Sequence, residues 1–205
     1  MNKQFHIASD VAFTPVVKAI QARKGSRTAY ARMERGDGWN TTITSDLAAF
    51  ITAQTSVFLG TANAEGQPYI QHRGGPPGFM RVLDDKTIAF ADFRGNRQFI
   101  TQGNLVENPK AHLFLLDYVH PRRVKIWGEA RVVEDDPALL ADLMPRNYKA
   151  RGEQAILFWV DTWNANCPQH IPQRFEAADV ARMLDQRDRR IAELEEEIAR
   201  LKAHK

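Results

Sequence analysis

The chain has a single cysteine, Cys167, among its 205 residues. That excludes an intramolecular disulfide framework and suits a reducing compartment. It also leaves too few thiolates for a structural zinc site, which wants four ligands. His6, His72, His112, His120, His170 and His204 are scattered without H-x-x-x-H or H-E-x-x-H spacing, so no metal centre is expected. The longest strongly apolar run, "AILFWV" at 155–160, is far short of the roughly 20 residues a membrane span needs. "MNKQFHIASD" has no apolar stretch of the secretory kind, and the expectation is a soluble cytoplasmic protein. Without export, the sequon Asn40-Thr41-Thr42 carries no weight. Neither sign of charge dominates: 28 Lys and Arg stand against 25 Asp and Glu, for a net +3. The basic residues are dispersed rather than gathered into a stripe, which argues against nucleic acid as a partner and leaves room for one local anion site. No P-loop, internal repeat or low-complexity tract is visible.

What is present is enough to build a core: 43% hydrophobic residues, including 11 Phe. The length suits one ordinary domain with appended elements. A short amphipathic helix is expected over 10–24, then a polar loop over 25–43. A second helix, capped by Thr44 or Ser45, runs through "DLAAFITAQ". The texture then changes. Segments 56–63, 68–74, 87–93, 111–118, 124–133 and 155–163 are rich in β-branched and aromatic residues, and turn signals such as "AEGQP", "LDDK", "ENP" and "HPRR" separate most of them. Six short strands at hairpin spacing indicate an antiparallel barrel or sandwich. In the tail, Val180, Leu184, Ile191, Leu194, Ile198 and Leu201 alternate spacings of three and four, with Arg187 interrupting. Asp185–Arg189 and Glu196–Arg200 add i,i+4 pairs. This fits either a two-stranded coiled coil or one amphipathic helix packed on its own domain.

Three segments carry candidate chemistry. His72-Arg73 precedes Gly74-Gly75-Pro76-Pro77-Gly78 at a strand end. Glycines admit a flat ligand close to the backbone, and Arg73 supplies a guanidinium fork for phosphate. Taken alone, the pattern fits a Gly/Pro turn with a surface arginine better than a ligand site. In "DFRGNRQF" (92–99), Asn96 reads as a helix cap with Arg97 and Gln98 in the first turn, an arrangement that favours an anion. In "HPRRVKIWG" (120–128), strand alternation puts Arg123 and Lys125 on one face and Val124 and Ile126 on the other. Together the three describe a polyanionic ligand lying across a β-barrel surface. Cys167 and His170, three apart in "NCPQHIPQRF", do not read as a metal or nucleophilic pair. Pro168 and Pro172 keep that segment extended, and no motif for an activated thiol surrounds it. Cys167 is read as a packing residue.

The stretches "FLGTANAEGQPYIQHRGGPPGF", "FADFRGNRQ", "GNLVENP", "RRVKIWGEARVV" and "NCPQHIPQRF", in this order, resemble the pyridoxamine 5'-phosphate oxidase-like family of FMN-binding split barrels. The resemblance implies a mainly β, six-stranded antiparallel Greek-key split barrel with flanking helices, formed by residues 45–175. A helical and loop extension (1–44) precedes it and a C-terminal helix (176–205) follows. It implies a homodimer holding FMN at the subunit interface, with no nucleic-acid or membrane partner. By resemblance, Arg73 holds FMN, with Gly74 and Gly75 near the ring. Ala91 and Asp92 meet the isoalloxazine through their backbone. Asn96, Arg97 and Gln98 lie at the phosphate, Gln98 standing where the oxidase proper has Lys. Arg123 replaces a flavin-contacting Gln, and Lys125 follows on its face. Trp163, Gln169, His170 and Arg174 reach the flavin from the C-terminal segment. Two departures, "GGPPG" after Arg73 and "QHIPQRF" in place of an Arg-x-His grip, argue against pyridoxamine phosphate as substrate. The resulting expectation is an FMN-dependent oxidoreductase of a small molecule, with no catalytic side chain assigned. The alternatives are a flavin carrier or sensor, or a split barrel that binds haem or a deazaflavin.

Overall fold

The computed structural model describes residues 7–166 and 169–203; Cys167, read as a packing residue, lies outside them. The chain forms two compact units. Residues 7–116 with 123–166 make the first, and 117–122 with 169–203 the second.

The first unit is built on a seven-stranded antiparallel sheet. Its strands are β1 (Ser56–Ala62), β2 (Pro68–Gly74), β3 (Met80–Val82), β4 (Thr87–Phe93), β5 (Lys110–Asp117), β6 (Arg122–Val133) and β7 (Gly152–Asn166), in the order β2-β1-β5-β6-β7-β4-β3. Alternation explains the strands. Val57 and Leu59 on β1, Leu113 and Leu115 on β5, and Val124 and Ile126 on β6 are all fully buried on one face. Strand β4 is buried from Thr87 to Asp92 because both its faces are covered. Ile88 and Phe90 enter the main core, while Ala89 and Ala91 pack with Leu143 of α5 (Pro137–Leu143). Helix α3 (Ser45–Ala53) closes the core with Leu47 and Ile51. Its cap is Thr44, whose hydroxyl accepts from the Leu47 amide at 3.2 Å. The β6–β7 register shifts between Trp127 and Gly128. A Cβ on Gly128 would collide with the Trp159 carbonyl oxygen, so only glycine passes this bulge.

Several expectations are corrected. There are seven strands, not six: the three-residue β3 follows the Gly-Pro turn and is too short to leave an alternation signal. The first helix, α1 (Pro15–Arg23), starts later than expected. It is preceded by a 3-10 turn (Ala8–Val11) and capped by Thr14, which accepts from the Val17 amide at 3.3 Å. The supposed polar loop contains a second helix, α2 (Arg27–Arg35). Part of its polarity is directed inward: Arg27 donates to Gln21 and to both carboxylate oxygens of Glu34, whose side chain is only 5% exposed, while Arg32 and Arg35 stay exposed. An aromatic row ties this extension to the sheet, from Phe13 to Trp39 (5.1 Å) and from Trp39 stacked on Trp127 (4.9 Å).

In the second unit, Asp117 Oδ1 accepts from the Val119 and His120 amides (2.8 and 2.9 Å), which forms the turn after β5. The Arg174 amide donates to the Tyr118 carbonyl at 3.1 Å, and its guanidinium lies 4.1 Å from the Tyr118 ring centre. The rest is one continuous helix, α6 (Ala177–Ala203). No helix among the described residues is long and apolar enough to cross a membrane.

Candidate functional site

A pocket of about 230 Å³ lies where the ends of β2 and β4, the start of β7 and the loop before α4 (Ile100–Glu107) converge. Backbone register decides which side chains enter it. Arg73 pairs with the buried Val57, so it points to the inner face of the sheet. Asp92 continues the inward series of Ile88 and Phe90, and Gln154 sits directly opposite it on β7. The result is a satisfied carboxylate: Arg73 donates to Asp92 Oδ1, and Gln154 Nε2 donates to Oδ2 at 3.0 Å. Gln71, two residues before Arg73, accepts from the Thr101 hydroxyl at 2.7 Å and so ties β2 to α4.

The loop between β4 and α4 departs from the expected helix start. Arg97 and Phe99 have positive φ (59° and 55°), which α-helix cannot contain, and α4 begins only at Ile100. Asn96 is therefore no helix cap; its side chain accepts from the Gln98 amide at 3.3 Å in a local turn. Each left-handed non-glycine residue costs on the order of 1–3 kcal/mol, so surrounding contacts must hold the loop. Within the loop, Arg97 Nε lies 3.0 Å from Glu153 and the Arg97 guanidinium 5.3 Å from the Phe99 ring centre, both half-exposed contacts.

Of the residues nominated from sequence, Arg73, Gly74, Ala91, Asp92, Asn96, Arg97 and Gln98 line this pocket. Gly75 does not. A Cβ there would come within 2.6 Å of Phe79 Cβ, so its glycine makes room for the Phe79 ring, which itself lines the pocket. Gln71, Phe79, Thr101, Glu153 and Gln154 were missed. Gln71 was findable, because it shares a strand face with Arg73. Glu153 and Gln154 were not, since only the β4–β7 register brings them here.

Arg123 and Lys125 form a second cluster on the outward face of β6, as alternation required, while Val124 and Ile126 sit in the core. Neither residue lines the pocket of the same chain. Lys125 lies 5.4 Å from the Trp127 ring centre. Its pKa is lowered, first by burial and then by the Arg123 charge. His112 meets Trp127 edge-on at 4.9 Å, and burial, followed by the Lys125 charge, lowers its pKa to about 4. Trp163 faces inward opposite Ile126 and belongs to the core, its indole N–H donating to the Thr42 carbonyl at 2.8 Å. Gln169, His170 and Arg174 belong to the second unit, where Gln169 and His170 are exposed and Arg174 is held by Tyr118.

Among the described residues, two buried side-chain polar atoms lack a hydrogen-bond partner: Arg73 Nε and Arg123 Nε. A buried guanidinium N–H without an acceptor is costly, so both positions call for an anionic or carbonyl oxygen. Arg73 stands with Arg97 and Gln98 at the pocket, and Arg123 stands with Lys125 on β6, so each cluster is a set of donors suited to an anionic oxygen.

The family model described as pyridoxamine 5'-phosphate oxidase matches residues 43–182. The chain belongs to the pyridoxamine 5'-phosphate oxidase family. The match takes in every strand and both arginine clusters and leaves α1 and α2 before it. Solved structures similar to this chain include HupZ of Group A Streptococcus (17% identity, 64% of this chain and 99% of that one, TM-score 0.48). Another is an FMN-binding protein from Syntrophomonas wolfei (10%, 74% and 97%, TM-score 0.45). A third, from Clostridium acetobutylicum, is related to general stress protein 26 (17%, 62% and 89%, TM-score 0.42). Comparison with curated proteins returns no significant match.

Proposed function

We propose that this chain is an FMN-binding oxidoreductase acting on a small molecule as a homodimer, with each cofactor site shared between two copies. The observation that carries the reading is the pair of unsatisfied guanidinium nitrogens on Arg73 and Arg123, which stand in separate clusters of one chain. The pocket volume supports it. About 230 Å³ falls below the roughly 300–1,000 Å³ usual for a ligand site, so one chain supplies only part of the enclosure.

In this reading Arg73, Asn96, Arg97 and Gln98 receive the phosphate end. Arg97 is half exposed, and its link to Glu153 is a weak surface pair, so exchanging that carboxylate for a phosphate costs little. Arg73 keeps its buried partner Asp92 and offers Nε. Gly74, Ala91 and Asp92 present backbone to the ring. Arg123 and Lys125 come from the second copy and place positive charge by the ligand's oxygens. When bound, FMN supplies the hydride and electron chemistry, while the protein binds, orients and shields. The replacement of the oxidase's substrate grips by "GGPPG" and "QHIPQRF" directs the activity away from pyridoxamine phosphate.

The test is reconstitution followed by visible absorbance. The wild type takes up FMN, whereas Arg73→Ala and Arg123→Ala each lose it. Mixing the two variants restores part of the binding, because a mixed dimer holds one site with both arginines. A wild type that stays colourless refutes the flavin reading. Variants that fail to complement refute the shared site. Turnover with a reduced nicotinamide and a dye separates an enzyme from a carrier.

A further inference from the structure

Helix α6 is 27 residues long, with no buried residue. The apolar positions Val180, Leu184, Ile191, Leu194, Ile198 and Leu201 are each 39–66% exposed. Six exposed apolar side chains in one stripe on an otherwise charged helix are a surface made for a partner. We infer that this stripe pairs with the same stripe of a second copy, as a parallel, in-register two-stranded coiled coil.

Heptad positions decide the partner and its direction. Leu184, Ile191 and Ile198 occupy a, and Val180, Arg187, Leu194 and Leu201 occupy d. The C-terminal half has Ile at a and Leu at d, the combination that favours two parallel strands. The flanks agree. Position g carries Arg190 and then Glu197; position e carries Glu195 and then Lys202. In a parallel pair each g residue meets the e residue five further along the other chain. Arg190 then faces Glu195, and Glu197 faces Lys202, each pair formed twice. An antiparallel pair sets e against e and g against g. The antiparallel alignment that covers the seam pairs Arg190 with Glu197 at g but sets Glu195 against Asp188 at e. Attraction and repulsion then offset, whereas both g–e pairs of the parallel form attract. Arg187 interrupts the seam at d, where it meets Arg187 of the other chain with Asp188 of that chain beside it at e. A polar residue there weakens the coil but fixes its register. In the single chain Arg190 bonds Glu193 at 2.9 Å, yet its side chain is 65% exposed and within reach of a second carboxylate.

The test uses the full chain carrying Cys167→Ser. Adding Leu194→Cys puts a thiol at d, where a parallel in-register pair brings two copies of the same residue together. Adding Arg189→Cys puts it on the outer face. Under mild oxidation, a disulfide-linked dimer is expected from the first and lost in the second. Equal linkage in both overturns the proposal, as does linkage only when Ile191→Cys and Leu194→Cys chains are mixed. Hydrogen exchange along α6 gives an independent reading. Arg190→Glu speeds exchange there, and adding Glu195→Arg restores protection. Failure of that rescue means the helix packs on its own barrel, and the proposal is wrong.

Discussion

Arg73 and Asp92 form an ion pair between the first and sixth strands in sheet order, β2 and β4, with four strands between them. Such a contact is reachable only if the sheet curls until its two ends approach, so the pair sits across the split of the barrel. Both side chains are largely buried, 14% and 11% exposed. Removing one partner of a buried pair leaves an uncompensated charge. Asp92→Asn should therefore cost about 3 kcal/mol, the low end for such a pair. That is a fall in Tm of roughly 6–12 °C for a chain of this size. Thermal unfolding by circular dichroism measures it; an unchanged Tm would mean the core alone sets the curl.

Gly75 touches the pocket only through Phe79. Gly75→Ala drives a methyl into that ring, which is 1% exposed and packed edge-on against Phe90 at 6.4 Å. Overpacking of this kind costs typically 1–3 kcal/mol. Because Phe79 also lines the pocket, the shift should weaken FMN uptake as well as stability. Gly74→Ala offers a contrast, since its Cβ would meet the His72 imidazole at 3.0 Å and the Thr55 carbonyl oxygen at 3.2 Å, not Phe79. Titrations of both variants should show the larger loss of affinity per unit of lost stability at Gly74, which lines the pocket itself, while Gly75 acts through stability and the Phe79 ring.

The strands and inward-facing residues were legible because alternation is a local signal that burial reinforces. Arg123 and Lys125 on one face, with Val124 and Ile126 on the other, followed from period two alone. Helix α3 followed from Thr44 and the apolar run behind it. What local pattern did not carry was set by distant contacts. Helix α2 looked like a polar loop because it is short and carries no apolar stripe: Arg27 and Glu34 pair inside the fold, and Arg32 and Arg35 stay exposed. Asn96 looked like a cap, but the left-handed Arg97 and Phe99 postpone the helix by three residues. At the pocket, the arginines were visible as residue types near glycines. Glu153 and Gln154 were invisible because strand register, not spacing, delivers them.

His112 links stability to pH. Its pKa in the folded protein is lowered from 6.5 to about 4, mainly by burial and then by Lys125. Between those values the unfolded chain binds a proton that the native state refuses. Stability is therefore complete above pH 6.5 and falls as pH drops toward 4, by at most about 3 kcal/mol from this group. His112→Gln, which cannot titrate, should flatten that slope whatever it does to absolute stability. Urea midpoints of both proteins at pH 5 and pH 7 measure the difference. Equal slopes would mean that the imidazole takes up its proton in the folded state.

The extension before residue 43 lies outside the family match, yet it is pinned by one buried carboxylate. Glu34 is bonded by Arg27, accepts from the Ser9 hydroxyl at 3.3 Å and lies 3.8 Å from Lys18 Nζ. Those three contacts join the 3-10 turn, α1 and α2, elements that bury few apolar side chains of their own. Glu34→Ala unpairs Arg27, but at 23% exposure Arg27 recovers some hydration, so the cost is about 2 kcal/mol rather than the full value for a buried pair. The loss should stay local, because the sheet keeps its own core. Native-state hydrogen exchange should show faster exchange through α1 and α2, with β4, β6 and β7 unchanged. A uniform loss of protection would mean instead that the extension and the barrel unfold as one cooperative unit, coupled through the Phe13–Trp39–Trp127 row.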